Sequence, residues 1–237
     1  MGKKERTVYA LDVGTTKVCM LIARTYPDGH LKVLSSGCVL SDGLKKGIVV
    51  NLGRAAESIG KAAEDAELKS GISADWVTVG ISGDHIQSFN CHGAIPIERK
   101  HRTVTEEDMA QVIAAARSIP IPPEREILHV LPQEFFVDSR GGILNPVGLT
   151  GSRLDVDIHV VTGDTRITQN LINAVNRAQM RVHKVILQQL ASAESVLRRD
   201  EKELGAALVD IGGGTTNIAL FAKNSILSTP LPLDPLF

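Results

Sequence analysis

Two stretches of this chain spell the same short pattern: LDVGTTKVCMLIA from Leu11 and VDIGGGTTNIALFA from Val209. Each reads as an apolar strand, an Asp-x-Gly, a turn of glycine and threonine, and a second apolar strand. Asp12 answers to Asp210, Gly14 to Gly212 and Thr15–Thr16 to Thr215–Thr216, with Gly213 and Gly214 extra in the second copy. The two lie too far apart for a solenoid or propeller period. The pattern therefore predicts a duplicated domain, each half opening with a β-hairpin. Either motif alone is as well read as an ordinary hairpin, but two copies sharing Asp-x-Gly and Thr-Thr favour a functional pair.

The chemistry of such a pair suits phosphate. Glycines let a backbone turn tightly and approach a ligand, and successive N–H groups at the tip make a nest for an anion. Thr15, Thr16, Thr215 and Thr216 add hydroxyl donors, and Lys17 adds a positive charge. Asp12 and Asp210, each ending a first strand, suit a Mg²⁺ ion held through water, because that ion sheds its hydration shell reluctantly. Two facing hairpins would clamp a triphosphate from both sides. Other phosphate motifs are absent: there is no GxxxxGK[ST], and GGGTTN fails GxGxxG at its last position.

Between the hairpins the chain alternates strand and helix, which predicts an α/β fold. TVYALDV, TKVCMLIAR and LKVLSSGCVL read as strands, and Asn51 caps a helix with apolar positions from Leu52 to Ala66 that ends before Gly71. WVTVGIS (76–82) reads as a buried strand. Residues 84–163 differ in character, with strand pieces around one helix opened by Thr105-Glu106-Glu107-Asp108, a capping box with aspartate at its acidic position. They predict an inserted α+β subdomain of two strand pairs about a helix. Asp164 or Thr165 then caps a helix through Ala178, LQQLASAESVLRR reads as another, and AALVDIG with TTNIALFA closes the pattern. The expected organisation is a split first domain (1–83 and 164–199), the insertion (84–163) and the start of a second domain (200–237).

Composition excludes several classes. The formal net charge of −1 lacks the basic footprint of a nucleic-acid binder, and eight aromatic residues are few for stacking platforms. Arg99-Lys100-His101-Arg102 reads as a solvated loop beside acidic residues. Cys19, Cys38 and Cys91 form no CxxC and leave one over, which predicts free thiols in a reducing cytosol. The start is not a signal peptide, and no apolar run approaches the ~20 residues of a membrane span. Cys91-His92 does not make a metal pair, since neighbours on a strand point apart. Asp155 and Asp157 read as solvated positions opposite Val156 and Ile158. Glu194 and Gln188–Gln189 are loosely spaced for positioning a hydrolytic water and are set aside.

LDVGTTK and VDIGGGTTNIALF resemble the two phosphate motifs of the actin-like ATPases, which include sugar kinases and Hsp70-type chaperones. The branch is carried by SDGLKKGIVVN, VGISGDHIQ, LHVLPQEFFVD, ILNPVGLTGSRLDVDIHVVTG and LASAESVLRRDEKELGAALVDIGGGTT, which closely resemble the bacterial cell-division FtsA family from about Val8 to Phe221. The resemblance implies an actin-like (RNase H-like) fold with an inserted subdomain, and an ATP- and Mg²⁺-binding protein with at most weak ATPase activity. Phosphate contacts fall to Asp12, Gly14, Thr15, Thr16, Lys17, Asp210, Gly212, Gly213, Gly214, Thr215, Thr216 and Asn217, with Asp12 and Asp210 nearest the metal. No residue is assigned a catalytic role.

The resemblance also implies head-to-tail self-association, contact with the tubulin homologue FtsZ and later division proteins, and a place at the cytoplasmic face of the inner membrane at the septum. In that family an amphipathic tail makes the membrane contact. Two departures are notable. Asn217 stands where many relatives have aspartate, and the chain stops at LPLDPLF, which predicts a truncated or frameshifted end without the adenosine-binding glycine motif, last subdomain or tail. The alternatives are a small-molecule kinase on the same fold and a remnant that binds no nucleotide.

Overall fold

The computed structural model describes residues 5–97 and 103–229. The basic cluster Arg99–Arg102 and the chain beyond Thr229 lie outside the described residues. The apolar runs flanking Gly14 form β1 (Arg6–Val13) and β2 (Lys17–Thr25), and the chain returns as β3 (Leu31–Leu40). Each is antiparallel to the one before. Strand alternation sorts their side chains: Leu11, Val13, Val18, Met20 and Ile22 are buried on one face, which leaves Asp12 and Cys19 on the other.

A small hairpin, β4 (Leu44–Lys45) and β5 (Ile48–Val49), precedes α1 (Leu52–Ser70). Asn51 caps α1 by accepting from the Arg54 N–H at 3.1 Å, and Gly71 ends it at φ 68°. The buried stripe of α1 is mostly alanine, so the helix lies directly on β3. At Gly37 a methyl group would stand 2.7 Å from the Ala66 nitrogen, which only glycine avoids. β6 (Trp76–Ile81) then runs parallel beside β1.

Next come β7 (Gln87–Pro96), α2 (Glu106–Arg117), β8 (Arg125–Val137), β9 (Arg140–Ile143) and β10 (Arg153–Asp164). The capping box of Thr105 and Asp108 forms as its residues predict. The strands do not make two separate pairs, however. They form one four-stranded sheet in the order β7-β10-β8-β9, with the apolar β10 inside it. Pro132 of β8, which has no N–H to donate, sits where the register with β10 slips. α2 packs Val112 and Ala116 against Leu154, Val156, Ile158 and Val160, a core separate from that of the first sheet. Asp155, expected to be solvated, is instead buried and held by Arg153 at 2.6 Å and His92 at 3.2 Å.

Asp164 caps α3 (Thr165–Arg177). β11 (Arg181–Leu187) follows and pairs with β6 in parallel, completing a sheet of order β11-β6-β1-β2-β3. The sequence reading passes over this strand, because Arg181, His183 and Lys184 break its apolar run. The helix expected over LQQLASAESVLRR ends at Val196 as α4 (Gln188–Val196), and a further helix, α5 (Arg199–Leu204), begins at the last residue of that stretch. β12 (Ala206–Ile211), β13 (Thr216–Ala222) and β14 (Ser225–Ser228) form a third, antiparallel sheet. Among the described residues no helix is long and apolar enough to cross a membrane.

The cysteine expectation is corrected. Cys19 and Cys38 are joined in a disulfide, and Cys91 is free. The pair are direct partners across β2 and β3, a contact made by register rather than by spacing along the chain.

The third sheet leans on the open face of the inserted sheet through polar contacts. Gln133 donates to the Ile226 carbonyl at 2.7 Å and Asn90 to the Leu227 carbonyl at 3.3 Å. Between them His159 is almost fully buried, with Asn90 Oδ1 at 2.6 Å and the Thr229 hydroxyl at 3.3 Å. Burial pushes its pKa down to about 4. A free histidine titrates near ~6.5, so the neutral ring stabilises the fold fully above that pH and loses its contribution as pH falls toward the folded value. Urea melts at pH 7 and pH 5 should show this loss as up to about 2 kcal/mol. His159→Gln should flatten the slope without abolishing it, because burial also lowers His85 and His129. An unchanged slope would mean that His159 protonates freely in the folded chain.

Candidate functional site

The two repeated motifs form turns of identical build. Val13 pairs with Val18 across the first tip and Ile211 with Thr216 across the second. The Gly14 N–H donates to the Lys17 carbonyl at 3.0 Å, and the Gly212 N–H to the Thr215 carbonyl at 2.9 Å. The tips are therefore the same length, which corrects the equivalence drawn from the letters. Gly213 and Gly214 are not extra residues; they occupy the places of Thr15 and Thr16, while Thr215 matches Lys17 and Asn217 matches Cys19.

The reason for glycine at those places lies across the gap. The two hairpins face each other and touch at their tips. A methyl group on Gly213 would collide with the Thr16 side chain, and one on Gly214 would stand 2.5 Å from Thr15 Oγ1 and 3.0 Å from the Lys46 Cα. Thr15 also accepts from the Gly47 N–H at 2.9 Å, so the β4–β5 loop is held at the same seam. The threonines of one tip fit into the space that the glycines of the other leave open.

Beside the seam is a cleft of about 770 Å³ lined by both hairpins, with Thr78, Gly80, Ser82, Ile186, Gln188 and Ser192 contributing from β6, β11 and α4. All the residues singled out from the motifs line it except Thr216, which is buried beneath. Asp12 stands at its floor and accepts from Gln188 Nε2 at 2.6 Å. The Ser82 hydroxyl donates in turn to Gln188 Oε1. Desolvation pushes the Asp12 carboxyl above the ordinary carboxylate range; Lys17 opposes this, Asp210 adds to it, and the Gln188 hydrogen bond opposes it again. Gln188 and Ser82 belong to the site on geometry that their sequence spacing did not reveal. Glu194 does not: it pairs with Lys202 at 2.6 Å.

The donor set suits a magnesium nucleotide. Asp210 stands close enough to help raise the Asp12 pKa, and two such neighbouring carboxylates suit a cation that takes few protein oxygens and completes its shell with water and phosphate. Among the described residues no group of three or more His, Cys, Asp or Glu side chains could hold a metal by itself. Asn217 donates to Thr215 Oγ1 at 3.3 Å, while its buried Oδ1 and the buried Thr216 hydroxyl have no hydrogen-bond partner. Such orphaned polar atoms beside the cleft are rare in folded proteins and fit a site with polar contacts left to make. The residues present fit the group.

The fold compares with solved structures of low sequence identity. It matches a chain of the PilM–PilN type IV pilus biogenesis complex with TM-score 0.67 at 15% identity, covering 96% of this chain and 61% of that one. It matches the ethanolamine utilization protein EutJ from Carboxydothermus hydrogenoformans with TM-score 0.53 at 15% identity, covering 99% and 54%. This is the fold of the actin-like ATPases, with a small α+β subdomain inserted.

Residues 83–162 match the model of the SHS2 domain inserted in FtsA. Cell division protein FtsA of Pseudomonas aeruginosa is 42% identical over 94% of this chain and 53% of its own length, that of Borreliella burgdorferi 40% over 92% and 53%, and that of Escherichia coli K12 37% over 94% and 53%. Over nearly all of its length the chain is similar to these FtsA proteins, and it spans about half the length of the curated relatives it matches.

The seam yields a test that needs no ligand. Gly213→Ala should destabilise the chain by about 1–3 kcal/mol in urea melts, the usual range for overpacking. Thr16→Gly in the same chain should recover at least half of that loss, because it empties the space the methyl group needs. Additive effects of the two substitutions would show that the tips do not touch.

Proposed function

We propose that this chain carries the phosphate-binding part of an actin-like, ATP-binding cell-division protein. The observation that carries the reading is the pair of facing hairpins, which place Lys17, Asp12 and Asp210 around one cleft. The N–H groups of Thr15–Lys17 and Gly213–Thr215 bind the β- and γ-phosphates, and Lys17 neutralises their charge. Asp12 and Asp210 hold Mg²⁺ through its water; when bound, the ion offsets phosphate charge. Gln188 and Ser82 fix the Asp12 carboxylate, and Asn217 offers its orphaned oxygen as a further acceptor. ATPase activity is at most weak, and the cleft assigns no general base.

The division of labour follows the family. Residues 1–83 and 164–199 form the first domain, 84–163 an inserted module for self-association and contact with later division proteins, and residue 200 onward the start of the second domain. In the whole protein, partners include FtsZ, and the place of action is the cytoplasmic face of the inner membrane at the septum. The small-molecule kinase alternative is not favoured by relatives named as cell-division proteins.

Two measurements test the nucleotide reading. Lys17 is exposed, so Lys17→Ala should leave the melting temperature unchanged while weakening Mg-ATP in titration calorimetry by about 10-fold or more, the worth of a charged hydrogen bond. Equal affinities would remove the hairpin clamp. The pH dependence has a definite sign. A cation needs Asp12 ionised, and its pKa is raised, so on acidification magnesium-dependent affinity should fall at a higher pH than for an ordinary aspartate near ~3.9. Asp12→Asn should remove that dependence along with most of the magnesium requirement. A requirement that survives the substitution would place the metal elsewhere.

A further inference from the structure

The cleft side of the first sheet carries a feature that the nucleotide reading does not use. Asp12, Cys19 and Cys38 are direct cross-strand neighbours on β1, β2 and β3 and so share one face. Cys19 lines the cleft, and Cys38 is exposed to solvent. The two sulfurs are bonded, with Cα atoms 4.2 Å apart.

The position of the bond gives it leverage on the site. β3 is the edge of its sheet, with β2 as its one neighbour there. Cys19 follows closely on Lys17. Cys38 shortly precedes Ser41, whose N–H donates to the Thr16 carbonyl at 3.1 Å, and the chain then runs to Gly47 on the Thr15 hydroxyl. The bond therefore ties together the base of segment 14–17, which lines the cleft, and the base of segment 41–47, which reaches it at Gly47.

We propose that Cys19 and Cys38 are a reversible dithiol–disulfide site, oxidised by a low-molecular-weight disulfide, whose oxidation stiffens this wall of the cleft. The exposed Cys38, as thiolate, attacks one sulfur of the small disulfide, forms a mixed disulfide and expels one small thiolate. Cys19 loses its proton, attacks the Cys38 sulfur, expels the second small thiolate and closes the internal bond. The protein loses two electrons and two protons, and the small disulfide gains both and leaves as two thiols. Cys91, on β7 in another sheet, is a free thiol and serves as an internal control. The inference goes beyond the nucleotide reading and does not require it.

The test uses the whole chain. It is equilibrated in glutathione buffers of graded ratio, quenched with an alkylating mass tag and read by peptide mass spectrometry. Cys19 and Cys38 should lose the tag together along a single two-electron curve that Cys91 does not follow. Amides of segments 14–19 and 36–47 should exchange at least about 3-fold more slowly in the oxidised form, and its melting temperature should be several degrees higher. Cys38→Ser should exchange like the reduced protein in every buffer. Independent tagging of the two cysteines, or full tagging of both at the most oxidising ratio, overturns the proposal. So does a bond that forms but leaves exchange in these segments unchanged.

Discussion

The contact between two threonines and two glycines organises this molecule. Thr15 and Thr16 project from one turn into the space that Gly213 and Gly214 leave on the other. Without side chains on the second tip, the hairpins meet at backbone distance and their N–H groups line one cleft. With a methyl group on either glycine, the tips would have to separate. Pseudo-symmetry of backbone is thus combined with asymmetry of side chains: the turns have the same length and closing hydrogen bond, but opposite contents. The triphosphate cradle proposed for this cleft would use that combination, which brings two nests close together.

Around this contact the rest of the fold serves as support. α1 lies on β3 through small residues and fixes the back of the first sheet, while the face bearing Asp12 and Cys19 stays open to the cleft. Ser82, at the end of β6, reaches Gln188 and through it Asp12, and the match to the inserted domain begins at the next residue. The root of the insertion and the floor of the cleft are thereby joined by side chains. Arg125 reinforces that root, donating to the His85 carbonyl at 2.9 Å and to Thr162. The insertion keeps its own apolar core, while Ile86, Leu128, Leu131 and Val161 pack into the core of the first sheet and join it to the body.

Much of this was legible in the letters, for identifiable reasons. The capping residues Asn51, Thr105 with Asp108, and Asp164 mark helix starts because their side chains satisfy N–H groups that the helix leaves free. The hairpin motifs and the family-like segments located the fold and the cleft. β11 escaped because its outward positions are charged, and the insertion was read as two strand pairs because pairing order is not written in periodicity. The gap placed in the motif alignment came from matching threonine to threonine, when the turn geometry matches threonine to glycine.

What the sequence determined by itself is local: which segments are strands or helices, where most of them start, and that two Asp-x-Gly motifs sit at hairpin turns. Those properties depend on each residue's own backbone preference and on the faces of regular elements. Tertiary structure alone decided the register that joins Cys19 to Cys38, the burial that lowers His159 and raises Asp12, and the entry of Gln188 and Ser82 into the site. Each depends on a partner distant in the chain, whose place is set by how sheets and helices pack and not by any neighbouring letter.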